Sequence, residues 1–126
     1  SDSLDITDAT IINLGVEFDV IAHDDVNKNV VFNKCKDEIY EKLTEVYAEI
    51  GEPFYISEVF KILKNIPEVL DVVNVRVVSH GDEAKGYSSY MYNIEDNLSP
   101  AGRSIFIPHW GIWEIKFSSD VRGRVR

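Results

Sequence analysis

The sequence predicts an α+β domain, with two helices packed on one face of a small, mostly antiparallel sheet in the order β-α-α-β-long loop-β. Three observations carry this expectation. Apolar and polar residues alternate over 14–20, apolar residues recur at three- and four-residue spacing over 31–50, and β-branched residues crowd 69–78. A chain of 126 residues has the length of one domain with one core. Its 44% apolar and 28% charged residues are ordinary for a folded protein.

The first strand is expected over residues 11–23, where Leu14, Val16, Phe18 and Val20 alternate with Gly15, Glu17 and Asp19. That is the period of a strand with one wet face. The polar cluster Asp24-Asp25-Val26-Asn27-Lys28-Asn29 then offers side chains that bond nearby backbone amides and start a helix. From about Val30 to Ile50 the apolar positions Val31, Cys35, Ile39, Leu43, Val46, Tyr47 and Ile50 form one stripe. Gly51 supplies a left-handed end to that helix and Pro53 stops it. A shorter helix is expected from Ser57 to Asn65, capped by Ser57, with Val59, Phe60, Ile62 and Leu63 inward. Pro67 closes it. Residues 69–78 predict a well-buried strand.

Residues 79–104 form a connection long enough to suggest a function of its own, and it carries Tyr87, Tyr90 and Tyr92. A short extended piece is expected at 104–107 and a strand at 112–118, where Ile112, Glu114 and Lys116 alternate with Trp113, Ile115 and Phe117. We find no internal repeat and no low-complexity stretch.

Charge narrows the function classes. Thirteen Lys and Arg against 22 Asp and Glu leave a net charge of −9, which repels a phosphate backbone and argues against nucleic acid as a partner. No apolar run approaches the length of a membrane span, which argues against a membrane partner, and the single cysteine, Cys35, has no internal disulfide partner. An intracellular origin is expected. The chain starts Ser-Asp-Ser, and we expect it to be the C-terminal piece of a longer polypeptide.

Several patterns come near to catalytic or binding motifs. Asp25-x-Asn27-x-Asn29 copies the start of a calcium loop, but Val30 stands where a glycine is needed and Lys36 where a bidentate carboxylate is needed. It reads as a helix cap. Gly81 and Gly86 have P-loop spacing, yet Tyr87 replaces the phosphate-binding lysine and two acids lie between. His23, His80 and His109 lack metal or triad spacing. Cys35 falls on the buried stripe, where a thiol is inert, and Ser88 and Ser89 lack a nucleophile elbow. Asp37, Glu38, Glu41 and Glu45 alternate with lysines on a solvated helix face. The expectation is therefore no catalytic, cofactor or metal site.

The C-terminal third is more informative. Tyr87, Tyr90, Tyr92, Phe106, Trp110 and Trp113 gather aromatic side chains around an irregular segment, and Arg122 and Arg124 follow. Tyr, Trp and Arg are the residues that most often anchor protein interfaces. Tyr87, Tyr90, Tyr92, Trp110, Arg122 and Arg124 are the expected interface residues, while Phe106 and Trp113 are expected to fill the core beneath the loop.

The long helix ending in Gly51-x-Pro53, the helix from Ser57 to Ile66, and the run Pro67-Glu-Val-Leu-Asp-Val-Val-Asn-Val-Arg-Val-Val78 resemble the C-terminal region of baseplate J-like wedge proteins of contractile-tailed phages. Ile107-Pro-His-Trp-Gly-Ile-Trp113 and Ser119-Asp-Val-Arg-Gly123 are similar to the ending of that family. The resemblance covers about residues 14–123, with Glu68 standing where the family often has glycine. It implies a non-enzymatic subunit of the tail baseplate in the virion. Such a subunit joins neighbouring wedge subunits around the hub, as a dimer or ring, and couples baseplate rearrangement to sheath contraction. The acidic first strand and the arginine-rich end are then expected at subunit contacts. Two alternatives remain from the residues alone: a small hydrolase that brings a histidine to carboxylates in a pocket, and a small-ligand regulatory module.

Overall fold

The computed structural model describes residues 9–45 and 48–126. Its centre is β1, Thr10–Ala22, whose even-numbered residues Ile12, Leu14, Val16, Phe18 and Val20 are all buried. The alternation read from the sequence is thus the core face of a real strand. Along one side β1 pairs antiparallel with β3, Val69–His80. Along its other side it pairs in parallel with β5, Gly111–Glu114, and then with β6, Val121–Val125. The result is a small mixed, mostly antiparallel sheet in an α+β fold. β2, Phe54–Tyr55, and β4, Ser104–Ile105, make a separate two-stranded ladder.

Helix α1, Lys28–Thr44, begins as the polar cluster predicts. The Asn27 side chain accepts hydrogen bonds from the backbone N–H groups of Asn29 and Val30 at 2.9 and 3.2 Å. Val31, Cys35 and Ile39 are fully buried on one stripe. The helix stops well before Gly51, which has φ +77° in a later turn; Val46 and Tyr47 of the expected stripe lie outside the described residues. Helix α2, Ile56–Lys64, buries Ile56, Val59 and Leu63. Ser57 is not its cap. The helix starts one residue earlier, and the Ser57 N–H instead donates to the Arg103 carbonyl at 3.1 Å.

The helices touch one another, α2 lies on β3 and α1 on β6, so one layer of helix covers the face carrying Leu14 and Val16. Glu68, in the turn before β3, accepts the His23 N–H on its carbonyl at 3.1 Å and binds Lys34 through its carboxylate at 3.0 Å. Lys34 holds the Glu68 carboxyl below its ordinary range.

Two strand expectations need correction. β3 is an edge strand, less covered than the well-buried one expected: its pairing with β1 skips Val73 and Leu70, and both bulged side chains are exposed, 44% and 60%. The expected strand over 112–118 is shorter: its pairing with β1 ends at Glu114 opposite Asn13, and from Val16 onward β1 pairs with β6 instead, after a 3₁₀ turn at Ser118–Asp120. Beyond that turn the arginine-rich end forms β6. There Gly123 lies under the Phe18 ring, and an added Cβ would stand 2.4 Å from it. Among the described residues no helix is long and apolar enough to cross a membrane.

Candidate docking surface

The long connection is built onto both faces of the sheet. On the face away from the helices, Asn13 and Gly15 of β1 are buried beneath it. Asn13 accepts the Ser88 N–H at 2.7 Å and donates to the Glu114 carboxylate at 2.9 Å, and Ser88 Oγ donates to the Ile11 carbonyl at 2.8 Å. Beside this clip the Tyr87 ring stacks on His80 at 4.7 Å between centroids. The Tyr87 hydroxyl donates to Asp120.

Asp120 is only 3% exposed. Its second oxygen accepts the Phe117 N–H at 3.1 Å, and His80 Nε2 stands 3.7 Å from the first. Gly15 makes room for this cluster, since a Cβ there would meet His80 Nε2 at 2.6 Å and the Asp120 carbonyl at 3.1 Å. Burial, then the hydrogen bond and negative charge of Asp120, pushes the Tyr87 hydroxyl up to about 12. A phenol held protonated this firmly is a donor and a stacking platform, poorly suited to acting as a base near neutrality.

The chain then folds over the end of the sheet to the helix side. Tyr92 N–H donates to Ser79 Oγ at 2.9 Å, and the Tyr92 hydroxyl donates to the Phe106 carbonyl at 2.6 Å. The side chain is buried, and burial raises its hydroxyl above the ordinary tyrosine value. Tyr90 packs edge-on against Trp110 at 5.5 Å and tilted against Tyr92 at 6.2 Å. Of the four expected interface aromatics, then, Tyr92 is core, while Tyr87, Tyr90 and Trp110 are half-buried and packed within the chain.

Other side chains face outward from the same segment. Met91 is 63% exposed, Phe106 60% and Leu98 41%. Phe106 therefore does not fill the core as expected; it sits between the buried Ile105 and Ile107 and points the opposite way. Trp113 is partly buried and packs edge-on against Phe54 at 4.9 Å.

The charged ends meet each other. Asp19 of β1 binds Arg124 at 3.1 Å and Arg126 at 2.7 Å, both from β6 or its end. The Arg126 hydrogen bond, with Arg124 beside it, holds the Asp19 carboxyl below its ordinary value. Arg122 is exposed, and among the described residues it has no carboxylate within 4.0 Å; its Nε reaches only the Ser119 carbonyl at 3.5 Å. Among the described residues Arg122 is thus open to a partner, and Arg124 is committed to Asp19.

The remaining sequence candidates resolve locally. The calcium-like stretch is the α1 cap. The Gly81–Gly86 stretch is a 3₁₀ turn capped by the Asp82 carboxylate and closed by Gly86 at φ +91°. His23 and His109 are exposed. Burial drives the Cys35 thiol up to about 11, so it stays protonated and unreactive. Among the described residues no group of three His, Cys, Asp or Glu side chains is arranged to hold a metal. Asn13 and Asp120 are the two residues that sequence reasoning passed over. What the fold and this surface define is a small α+β domain with a long, internally anchored connection that presents apolar side chains. No protein-family model matches the chain, and no curated protein matches it.

Proposed function

We propose that this chain is a structural docking domain, a non-enzymatic subunit of a contractile phage tail baseplate that contacts neighbouring wedge subunits in the virion. The carrying observation is the exposure of Met91, Leu98 and Phe106 on a segment tied down through Asn13, Asp120 and Tyr92. Exposed apolar side chains on an ordered frame are what a protein interface uses for anchors. The resemblance of residues 14–123 to baseplate J-like wedge proteins supplies the setting, and Arg122, which has no carboxylate within 4.0 Å among the described residues, supplies charge for orientation.

Light scattering coupled to size-exclusion chromatography, over about 1 μM to about 1 mM protein and a range of salt, tests the self-assembling form of this reading. The expected result is a dimer or ring that Phe106→Asp disperses, with a melting temperature equal to the parent's at concentrations where the parent is monomeric. A strict monomer throughout, or an oligomer indifferent to Phe106→Asp and Met91→Asp, would refute the assignment of this surface to self-assembly. Binding of neighbouring baseplate subunits that survives both substitutions would refute its assignment to wedge contacts.

A further inference from the structure

β3 pairs with β1 on one side only. Along its other side, among the described residues, no backbone group from Leu70 to His80 hydrogen-bonds to another segment's backbone. A strand edge of this kind is a template for a further strand. Against its Asn74–Ser79 stretch lies a groove of about 630 Å³, with β3 on one side and Met91–Leu98 on the other. A second cleft of about 420 Å³ continues it past Ile56, Asn74, Val75 and Gly102 towards Phe60, Lys64 and Arg103.

The two bulges, at Val73 and Leu70, lie just outside this stretch, so Asn74–Ser79 keeps a regular register with β1. Six residues accommodate an added strand roughly 20 Å long. Val75 and Val77 form the floor, and Met91, Ile94 and Leu98 offer apolar contacts along the wall. The charges are unlike those of the rest of the molecule. Arg76, Lys64 and Arg103 line the joined clefts against Glu95 alone, in a chain of net charge −9. Lys64 and Arg103 have no carboxylate within 4.0 Å among the described residues.

We infer that the β3 edge is a strand-addition site for an extended segment of a partner protein, with apolar residues at alternate positions and carboxylates between them. The backbone edge supplies affinity, the groove selects alternate apolar side chains, and Lys64 and Arg103 select acidic neighbours, while Arg76 is already paired with Glu17 at 3.3 Å. A second copy pairing edge to edge is the competing occupant. It brings another molecule of net charge −9, and the same Lys64 and Arg103 side chains, to the same place, which opposes it. This inference stands apart from the baseplate reading and survives its failure.

The probe is a library of eight-residue peptides that place Val, Ile, Leu or Phe at alternate positions and Asp, Glu, Lys, Arg, Ser or Thr between them, selected on the immobilised full chain. Enriched peptides are expected to carry Asp or Glu and to bind in fluorescence anisotropy. Affinity should fall at least about tenfold for the Lys64→Glu/Arg103→Glu variant with an unchanged melting temperature, and should fall as salt rises. Backbone N-methylation of the peptide at one parity of positions should abolish binding, and at the other parity should leave it. The inference is overturned by absence of enrichment, by enrichment of lysine and arginine, or by equal tolerance of methylation at both parities. It is also overturned if the chain self-associates through this edge and no selected peptide displaces it.

Discussion

Replacing Asp120 by alanine tests the anchoring of the connection most directly. The buried carboxylate accepts two hydrogen bonds, from the Tyr87 hydroxyl and the Phe117 N–H, and faces His80 at 3.7 Å. Hydrogen bonds to a charged group contribute about 1.5–3 kcal/mol each. Tyr87 is only half-buried and Phe117 is exposed, so water replaces part of what is lost. The expected cost is about 2–4 kcal/mol, a large share of the stability of an ordinary domain. Urea unfolding followed by the fluorescence of Trp110 and Trp113 should show the midpoint falling by about 1–2 M, given a slope of about 2 kcal/mol per M. Tyr87→Phe removes one of the two donors and should cost about half as much. Combined with Asp120→Ala it should add little, because the shared bond is already gone. An Asp120→Ala protein within about 0.5 kcal/mol of the parent would refute the claim that this carboxylate holds the connection to the sheet.

Asn13→Leu strands the Ser88 N–H and should cost about 1–3 kcal/mol, with amide exchange accelerating around Ser88 ahead of the core strands. Gly123→Ala drives a methyl into the Phe18 ring, 2.4 Å from the added carbon; a loss of about 1–3 kcal/mol is expected, read as a lower melting temperature and partly relieved by Phe18→Leu. Alkaline titration followed by tyrosinate absorbance should reveal late titration from Tyr92, which burial also raises, and from Tyr87 near 12, the latter absent in Tyr87→Phe. The folded value of Tyr87 lies above the ordinary 10.0, so its stabilising contribution is whole below about pH 10 and disappears as pH rises through 12.

The parts of the fold that local chemistry dictates were legible. Alternation placed β1, the Asn27 cap and the Val31–Cys35–Ile39 stripe placed α1, and the valine run placed β3. What escaped depends on contacts distant in sequence. β6 is strand only because β1 offers an open edge to it, and of the arginine-rich end, expected at subunit contacts, Arg124 and Arg126 end up beside Asp19. The run from Ile112 to Phe117 alternates well enough to read as one strand, yet β1 pairs with it only as far as Glu114 and then takes β6, after Asp120 has captured the Phe117 N–H and turned the chain. Ser57 has cap chemistry, but the Arg103 carbonyl takes its N–H. Asn13 and Asp120 looked like ordinary polar residues because their partners lie 75 and 33 residues away. Phe106 carried a readable signal, since a residue between two inward isoleucines of an extended run must point out.

The anchors bear on association as well as on stability. Ordering a loop residue costs about 1–2 kcal/mol of backbone entropy, and a surface carried on a mobile loop loses that on every encounter. Here Ser88, Tyr87 and Tyr92 fix the connection before any partner arrives, and Met91 and Phe106 lie beside those fixed points in the chain. A variant such as Asn13→Leu never touches a docking partner, yet it should weaken association by loosening the frame. Phe106→Asp should weaken association while leaving folding stability unchanged. If the outward residues were merely uncovered core, the second substitution would have nothing to disturb and the first would change stability alone. The separation of the two effects, one through order and one through contact, is what distinguishes a built docking surface from an incidental apolar patch.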